Sequence, residues 1–124
     1  MATITATEAI QDVSGNTICY RWDAVTENDT CKPVRIPNRR DFTLSIHGTP
    51  GGSSTALYMS NMGHADPSTL ANDDYWSGKD TVSGSAVALT NDNTSANIVE
   101  SAVWFQPFPS GGSSQSMTIY LEAK

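Results

Sequence analysis

At 124 residues the chain has room for one hydrophobic core and too little for two, and a domain of this size hides roughly 65% of its unfolded surface without metals or cross-links. Thirteen acidic against seven basic side chains leave a net charge of −6, a field that repels phosphate backbones and anionic lipid, so neither nucleic acid nor a membrane surface is an expected partner. Three Trp, four Tyr and three Phe in a background of Ser, Thr, Asn and Gly exclude a disordered chain and fit a β protein with a neutral polar surface.

The opening residues, MATITATEAIQDVSG, carry no basic stretch, no long apolar run and no cleavage site, so synthesis in a host cytoplasm without a secretory leader or membrane span is expected. Residues 2–7 alternate small β-formers. Segment 1–15 has no obvious partner within the chain, which predicts an N-terminal arm that adds a strand to a neighbour's sheet. Residues 16–24 (NTICYRWDA) set Ile18, Tyr20 and Trp22 on one face and Cys19 and Arg21 on the other. Residues 33–36 (PVRI) lie between prolines and read as an edge segment, since Pro cannot donate to a ladder. Residues 41–47 give the cleanest alternation, with Phe42, Leu44 and Ile46 inward.

Further strands are predicted over 55–60, 84–90, 97–106 and 116–122, the last with Met117, Ile119 and Leu121 on one face. The Phe42 and Met117 triplets belong on facing or neighbouring core strands. GTPGGSS (48–54) and PSGGSS (109–114) read as hairpin turns. Segment 61–83 is too long for a tight turn and is expected to cross between sheets or project from the body. Within it, Asp66 ahead of Pro67 is placed to cap a helical turn, but no apolar face continues over 66–75. The expected fold is all-β: an antiparallel β-sandwich or jelly roll of about eight short strands, with little or no helix, over 1–124 as one domain.

Chemistry-bearing residues are sparse. His47 falls on the polar face of its strand, His64 is the other histidine, and no GxSxG sequence accompanies them, so no enzyme is expected. No pair of carboxylates is placed to suit glycoside hydrolysis. Asp73, Asp74 and Asp92 sit in turn-forming stretches that lack a calcium-loop pattern, and no metal or cofactor is called. Cys19 and Cys31 form a candidate disulfide across a hairpin; a reducing cytosol instead favours free thiols. Four of the seven basic residues, Lys32, Arg35, Arg39 and Arg40, fall in one stretch suited to an acidic partner or to plain solubility. Trp22, Tyr58, Tyr75, Trp76, Trp104, Phe105 and Phe108 are more aromatics than so small a core is expected to hold, so some should face a protein neighbour or a sugar. Lys32, Arg35, Arg39, Arg40, Tyr75 and Trp76 are the expected partner-binding set.

PVRIPNRRDFTLSIHGTP (33–50), TALYMSNMGH (55–64) and the closing SGSAVALTNDNTSANIVESAVWFQPFPSGGSSQSMTIYLEAK (83–124) together resemble small β-sandwich virion proteins encoded among the head genes of tailed bacteriophages. Segments 1–32 and 64–80 fall outside the resemblance. It implies a virion part without catalytic activity: a capsid decoration (cement) protein on the outer head, bridging major capsid protein subunits. A homotrimer would let three weak contacts act together. The alternatives are a head–tail adaptor, tail or fibre element, or a carbohydrate-binding module that stacks sugars on Tyr75, Trp76 and Trp104.

Overall fold

The side chains that alternate along the sequence are the ones that turn inward between two facing sheets. The computed structural model describes residues 2–11, 17–72 and 74–124, with residues 9–11 described in their backbone only. Eleven strands are present among them, four only two residues long: β1 (Thr3–Ile4), β2 (Thr7–Gln11), β3 (Ile18–Thr26), β4 (Thr30–Cys31), β5 (Val34–Arg35), β6 (Phe42–Thr49), β7 (Ser54–Ser60), β8 (Trp76–Ser77), β9 (Thr94–Ile98), β10 (Trp104–Ser110) and β11 (Ser116–Ala123). The order β2-β3-β11-β6-β9 forms a five-stranded sheet and β5-β10-β7-β8 a four-stranded one. Pairing within both is antiparallel, while β1 and β4 form a short parallel pair. The fold is an all-β antiparallel sandwich. Among the described residues there is no helix, and therefore none long and apolar enough to cross a membrane.

The two apolar triplets meet as neighbours. Ile46 stands opposite Ile119, Leu44 opposite Leu121 and Phe42 opposite Ala123. Leu57, Met59 and Phe105 come from the other sheet, and the Phe42 and Phe105 rings, 4.2 Å apart, join the layers. Trp22 is fully buried and donates its Nε1 hydrogen to the Lys32 carbonyl oxygen at 3.0 Å, so its one polar atom is satisfied. Each such large side chain contributes about 1.5–3 kcal/mol by leaving water.

The run 97–106 is two strands in different sheets: β9 ends at Ile98 and β10 begins at Trp104. Period-two alternation reads the same whether or not the chain changes sheet, which is why one strand was expected. Residues 84–90 make only isolated bridges, Ala86 to Lys79 and Leu89 to Thr55, rather than a strand. The two glycine turns are likewise not hairpins. One carries β6 of the five-stranded sheet to β7 of the other, and the second returns β10 to β11. They stack on each other, Ser113 donating its backbone N–H to the Gly51 carbonyl at 2.8 Å. A Cβ on Gly51 (φ +63°) would lie 2.2 Å from the Ser113 oxygen, so glycine is required there.

The segment after Tyr75 crosses between sheets as expected. Trp76 pairs with Met59 in one sheet, and Asp80 bridges Ile98 in the other. Gly78 is the corner: a Cβ there would meet Met59 Sδ at 2.7 Å and Ile98 Cγ2 at 3.3 Å. The other side is closed by the N-terminal residues. β1 runs beside β4, and β2 pairs with β3. The expected free arm is thus corrected over 2–11, where β1 and β2 pair with β4 and β3 of this chain; residues 1 and 12–15 of that arm lie outside the described residues. Asp29 fastens the start, its carboxylate accepting from the Ala2 backbone at 3.1 Å and from Thr26 N and Oγ1 at 2.9 and 2.7 Å. The Thr26 bonds hold the Asp29 carboxyl below its ordinary range.

Candidate interaction surface

The outer faces of the two sheets differ in kind. On the five-stranded sheet, Thr43, Ser45, His47, Thr118, Tyr120 and Glu122 line a shallow depression of about 480 Å3. His47 lies on this polar face, as the alternation predicts, with Nδ1 2.7 Å from Asn93 Oδ1 and its ring edge-on to Tyr120 at 5.3 Å. Asp92 accepts from the Gly48 backbone at 2.8 Å, so this aspartate builds a turn. Asp73 lies outside the described residues.

Residues 61–72 lie over the outer face of the four-stranded sheet. Their anchor is Gln106, fully buried on β10. Gln106 Oε1 accepts from the Leu70 backbone N–H at 2.7 Å, and Nε2 donates to the Cys31 carbonyl at 2.9 Å and to Thr69 Oγ1 at 3.0 Å. Leu70 is driven to zero exposure over the sheet. Ser60, 1% exposed, lies 3.0 Å from His64 Nε2 and accepts from the Met62 backbone at 3.1 Å, so this pair fastens the start of the same loop. No feature of the sequence reading pointed to Gln106. A lone glutamine between Phe105 and Pro107, on a strand otherwise apolar, was the available signal.

The expected partner-binding residues are not one patch. Lys32 makes a 2.8 Å ion pair with Asp66, whose left-handed backbone (φ 53°) turns the loop where a helical turn had been expected. Arg35 is exposed on β5 beside Trp104. Arg39 and Arg40 line a cleft of about 490 Å3 at one end of the sandwich, with Asn38, Asn61 and Ser101. Trp76 is a correction: it is partly buried against the core, because it stands opposite Met59 and directly opposed residues of paired strands share a face. Tyr75, 41% exposed, stays outside and begins a row of rings, 4.4 Å from Tyr58, which in turn stacks on Phe108 at 4.6 Å. Burial, then the Tyr75 hydroxyl, pushes the Tyr58 phenol above its ordinary value. Trp104 is 8% exposed, with its ring centroid 6.0 Å from His64, so Tyr75, Trp76 and Trp104 do not make a joint stacking platform.

Both cysteines are free thiols. Cys19 stands opposite Glu122 on the polar face of the five-stranded sheet, whereas Cys31 lies in the core. One thiol faces outward from the five-stranded sheet and the other, on β4 of the separate two-stranded pair, faces the core, so the candidate disulfide is not formed. Burial raises both thiols, Cys31 to about 12.

No protein-family model matches the chain, and no curated protein matches it in sequence. Among solved structures, the crystal structure of SPBc2 prophage-derived protein YomS superimposes with a TM-score of 0.60 at 11% identity, over 93% of this chain and 97% of that one. The sandwich is therefore a fold that this prophage-derived protein shares over most of both chains.

Proposed function

We propose that the chain is a bacteriophage structural protein, a capsid decoration (cement) protein that binds the outer head, bridges major capsid protein subunits and acts as a homotrimer. The observation that carries the reading is the near end-to-end match in fold to a prophage-derived protein of similar size. The surface is consistent with the role. Arg39 and Arg40, outside the ion pairs found among the described residues, and a partly exposed aromatic row sit on a net-negative body, an arrangement suited to an acidic, partly apolar neighbour and unsuited to packaged DNA. Several weak contacts repeated around a symmetry axis would hold such a module on a shell by mass action.

The test is to mix the purified protein with bare shells of the phage that encodes it and to count copies bound per shell. Saturation at a stoichiometry set by the shell lattice supports the cement role. A few copies at one vertex, or binding to tails alone, moves the protein to an adaptor, tail or fibre position. Binding to neither, with glycan binding in its place, overturns the reading.

A further inference from the structure

The chain has four tyrosines, and the rings of two of them touch. Tyr58 stands on the outer face of β7, opposite Gln106 on one side and Ser77 on the other, and Tyr75 lies just ahead of β8. Their ring centroids are 4.4 Å apart, with the planes tilted by 35°. The Tyr75 hydroxyl is near enough to that of Tyr58 to help raise the Tyr58 phenol. The rings thus overlap with their oxygen-bearing ends together, which sets the Cε carbons flanking each hydroxyl beside those of the other ring. Phe108 stacks on Tyr58 at 4.6 Å and supports that ring, but brings no phenol. Tyr20 and Tyr120 make no second pair. Tyr20 stands opposite Leu121 and packs against the core, whereas Tyr120 stands opposite Arg21 on the polar face.

A phenol that gives up one electron and its proton becomes a radical whose spin is shared between the oxygen and the Cε carbons. Two such radicals in contact join Cε to Cε. The carbon–carbon bond forms, two Cε–H bonds break, and those hydrogens pass to the two oxygens as the rings regain their aromaticity. With peroxide as the terminal oxidant, two tyrosines and one hydrogen peroxide give one dityrosine and two waters. Tyr75, 41% exposed, is the ring an oxidant reaches. Its radical exchanges an electron and a proton with the neighbouring Tyr58 phenol, which restores Tyr75 for the second oxidation.

The link would join parts that are otherwise lightly held. β8 hangs on β7 by two residue pairs, followed by the Gly78 N–H bond to the Leu57 carbonyl at 2.8 Å. Between Tyr58 and Tyr75 lies the whole loop that Gln106 fastens through Thr69 and Leu70. Closing that loop covalently restrains the open chain more than the folded one.

We propose that Tyr58 and Tyr75 are a site of oxidative cross-linking, coupled through their Cε carbons into an intramolecular dityrosine by a peroxidase-type one-electron oxidant with peroxide, and that the link staples the end of the loop to β7. The chemistry does not depend on the capsid reading above.

The test treats the purified protein with a haem peroxidase and hydrogen peroxide and reads dityrosine by its blue fluorescence and by mass. The expected product is a monomer lighter by two hydrogens, formed in a yield independent of protein concentration. Sulfoxide at half-exposed Met62 adds an oxygen and is told apart by mass. Digestion after basic residues leaves 41–79 as one peptide, which should carry the loss, and cleavage after Met59 should not separate its halves. Tyr58→Phe and Tyr75→Phe keep the ring stack and should each abolish the monomeric product, while Tyr120→Phe should leave its yield unchanged. The linked protein should melt roughly 5–10 °C higher than the parent. No dityrosine, dityrosine only in covalent dimers, or the parent's yield in Y75F would each overturn the site. A linked protein that melts with the parent would overturn the staple.

Discussion

Replacing Gln106 with leucine isolates what holds residues 61–72 on the sandwich. The side chain is fully buried, and leucine preserves most of its volume while removing both its donor and its acceptor. Two backbone groups then lose their partners, the Leu70 N–H (2.7 Å) and the Cys31 carbonyl (2.9 Å). An orphaned buried polar group costs about 1–3 kcal/mol, and the added apolar burial offsets part of the sum, leaving a loss of about 2–4 kcal/mol. For a domain of this length that corresponds to a melting temperature lower by about 10 °C. Thermal unfolding followed by tryptophan fluorescence reads the global effect, and amide exchange at Leu70 reads the local one. A melting temperature within about 2 °C of the parent, with Leu70 still protected, would refute the view that this glutamine anchors the segment.

Gly78→Ala places a Cβ against Met59 and Ile98 at the sheet crossing and should destabilise by about 1–3 kcal/mol in urea unfolding; an unchanged midpoint would mean the corner has slack. Thiol labelling at pH 8 should leave Cys31 unmodified in the native protein and modify both cysteines in denaturant, with no disulfide found by mass. Because burial raises the Cys31 thiol from 9.0 to about 12, the fold binds that proton more tightly than the open chain does. The stabilisation is whole below pH 9.0 and is lost as pH rises toward about 12, so unfolding midpoints should fall over that window and Cys31→Ala should flatten the fall. Asp29 acts at the other end of the scale. Its carboxyl is depressed below 3.8, so its contribution holds above that pH and is lost as pH falls through the lowered value. D29A should speed amide exchange at Thr30 and Lys32, whose N–H groups bond Ala2 and Ile4, and unaltered exchange there would separate Asp29 from the N-terminal strands.

What was legible in the sequence follows from period-two alternation. The facing of Ile18 to Trp22, the inward triplets on β6 and β11 and the polar place of His47 needed only that rule, and all three hold. Alternation carries no information about partners, however. It did not say that 97–106 divides between sheets, or that the glycine turns join layers. The arm was misread for the same reason: Thr3–Ile4 and Thr7–Gln11 look unpaired until β4 and β3 are placed beside them. At the surface, the basic stretch was visible as composition, but the separation of Lys32 from Arg39 and Arg40 depends on Asp66, 34 positions further along than Lys32. Trp76 was taken for a surface ring because the pairing of β8 with β7, which sets its direction, could not be inferred from two residues.

The loop over residues 61–72 decides which chemistry of the four-stranded sheet remains outside. Without it, the four-stranded sheet would present Tyr58, Trp104 and Phe108 to water in one band, with Gln106 unsatisfied among them. The loop buries Trp104 and Gln106 and leaves the Tyr58, Tyr75 and Phe108 row at its border, with Met62 half exposed beyond. A partner that approaches this side therefore meets a short aromatic edge, and the cleft of Arg39 and Arg40 lies by Asn61, where the loop leaves β7. The opposite sheet presents a shallow face of hydroxyls together with Cys19, His47 and Glu122. The aromatic edge on this side is thus a place made by the loop rather than by the sandwich alone.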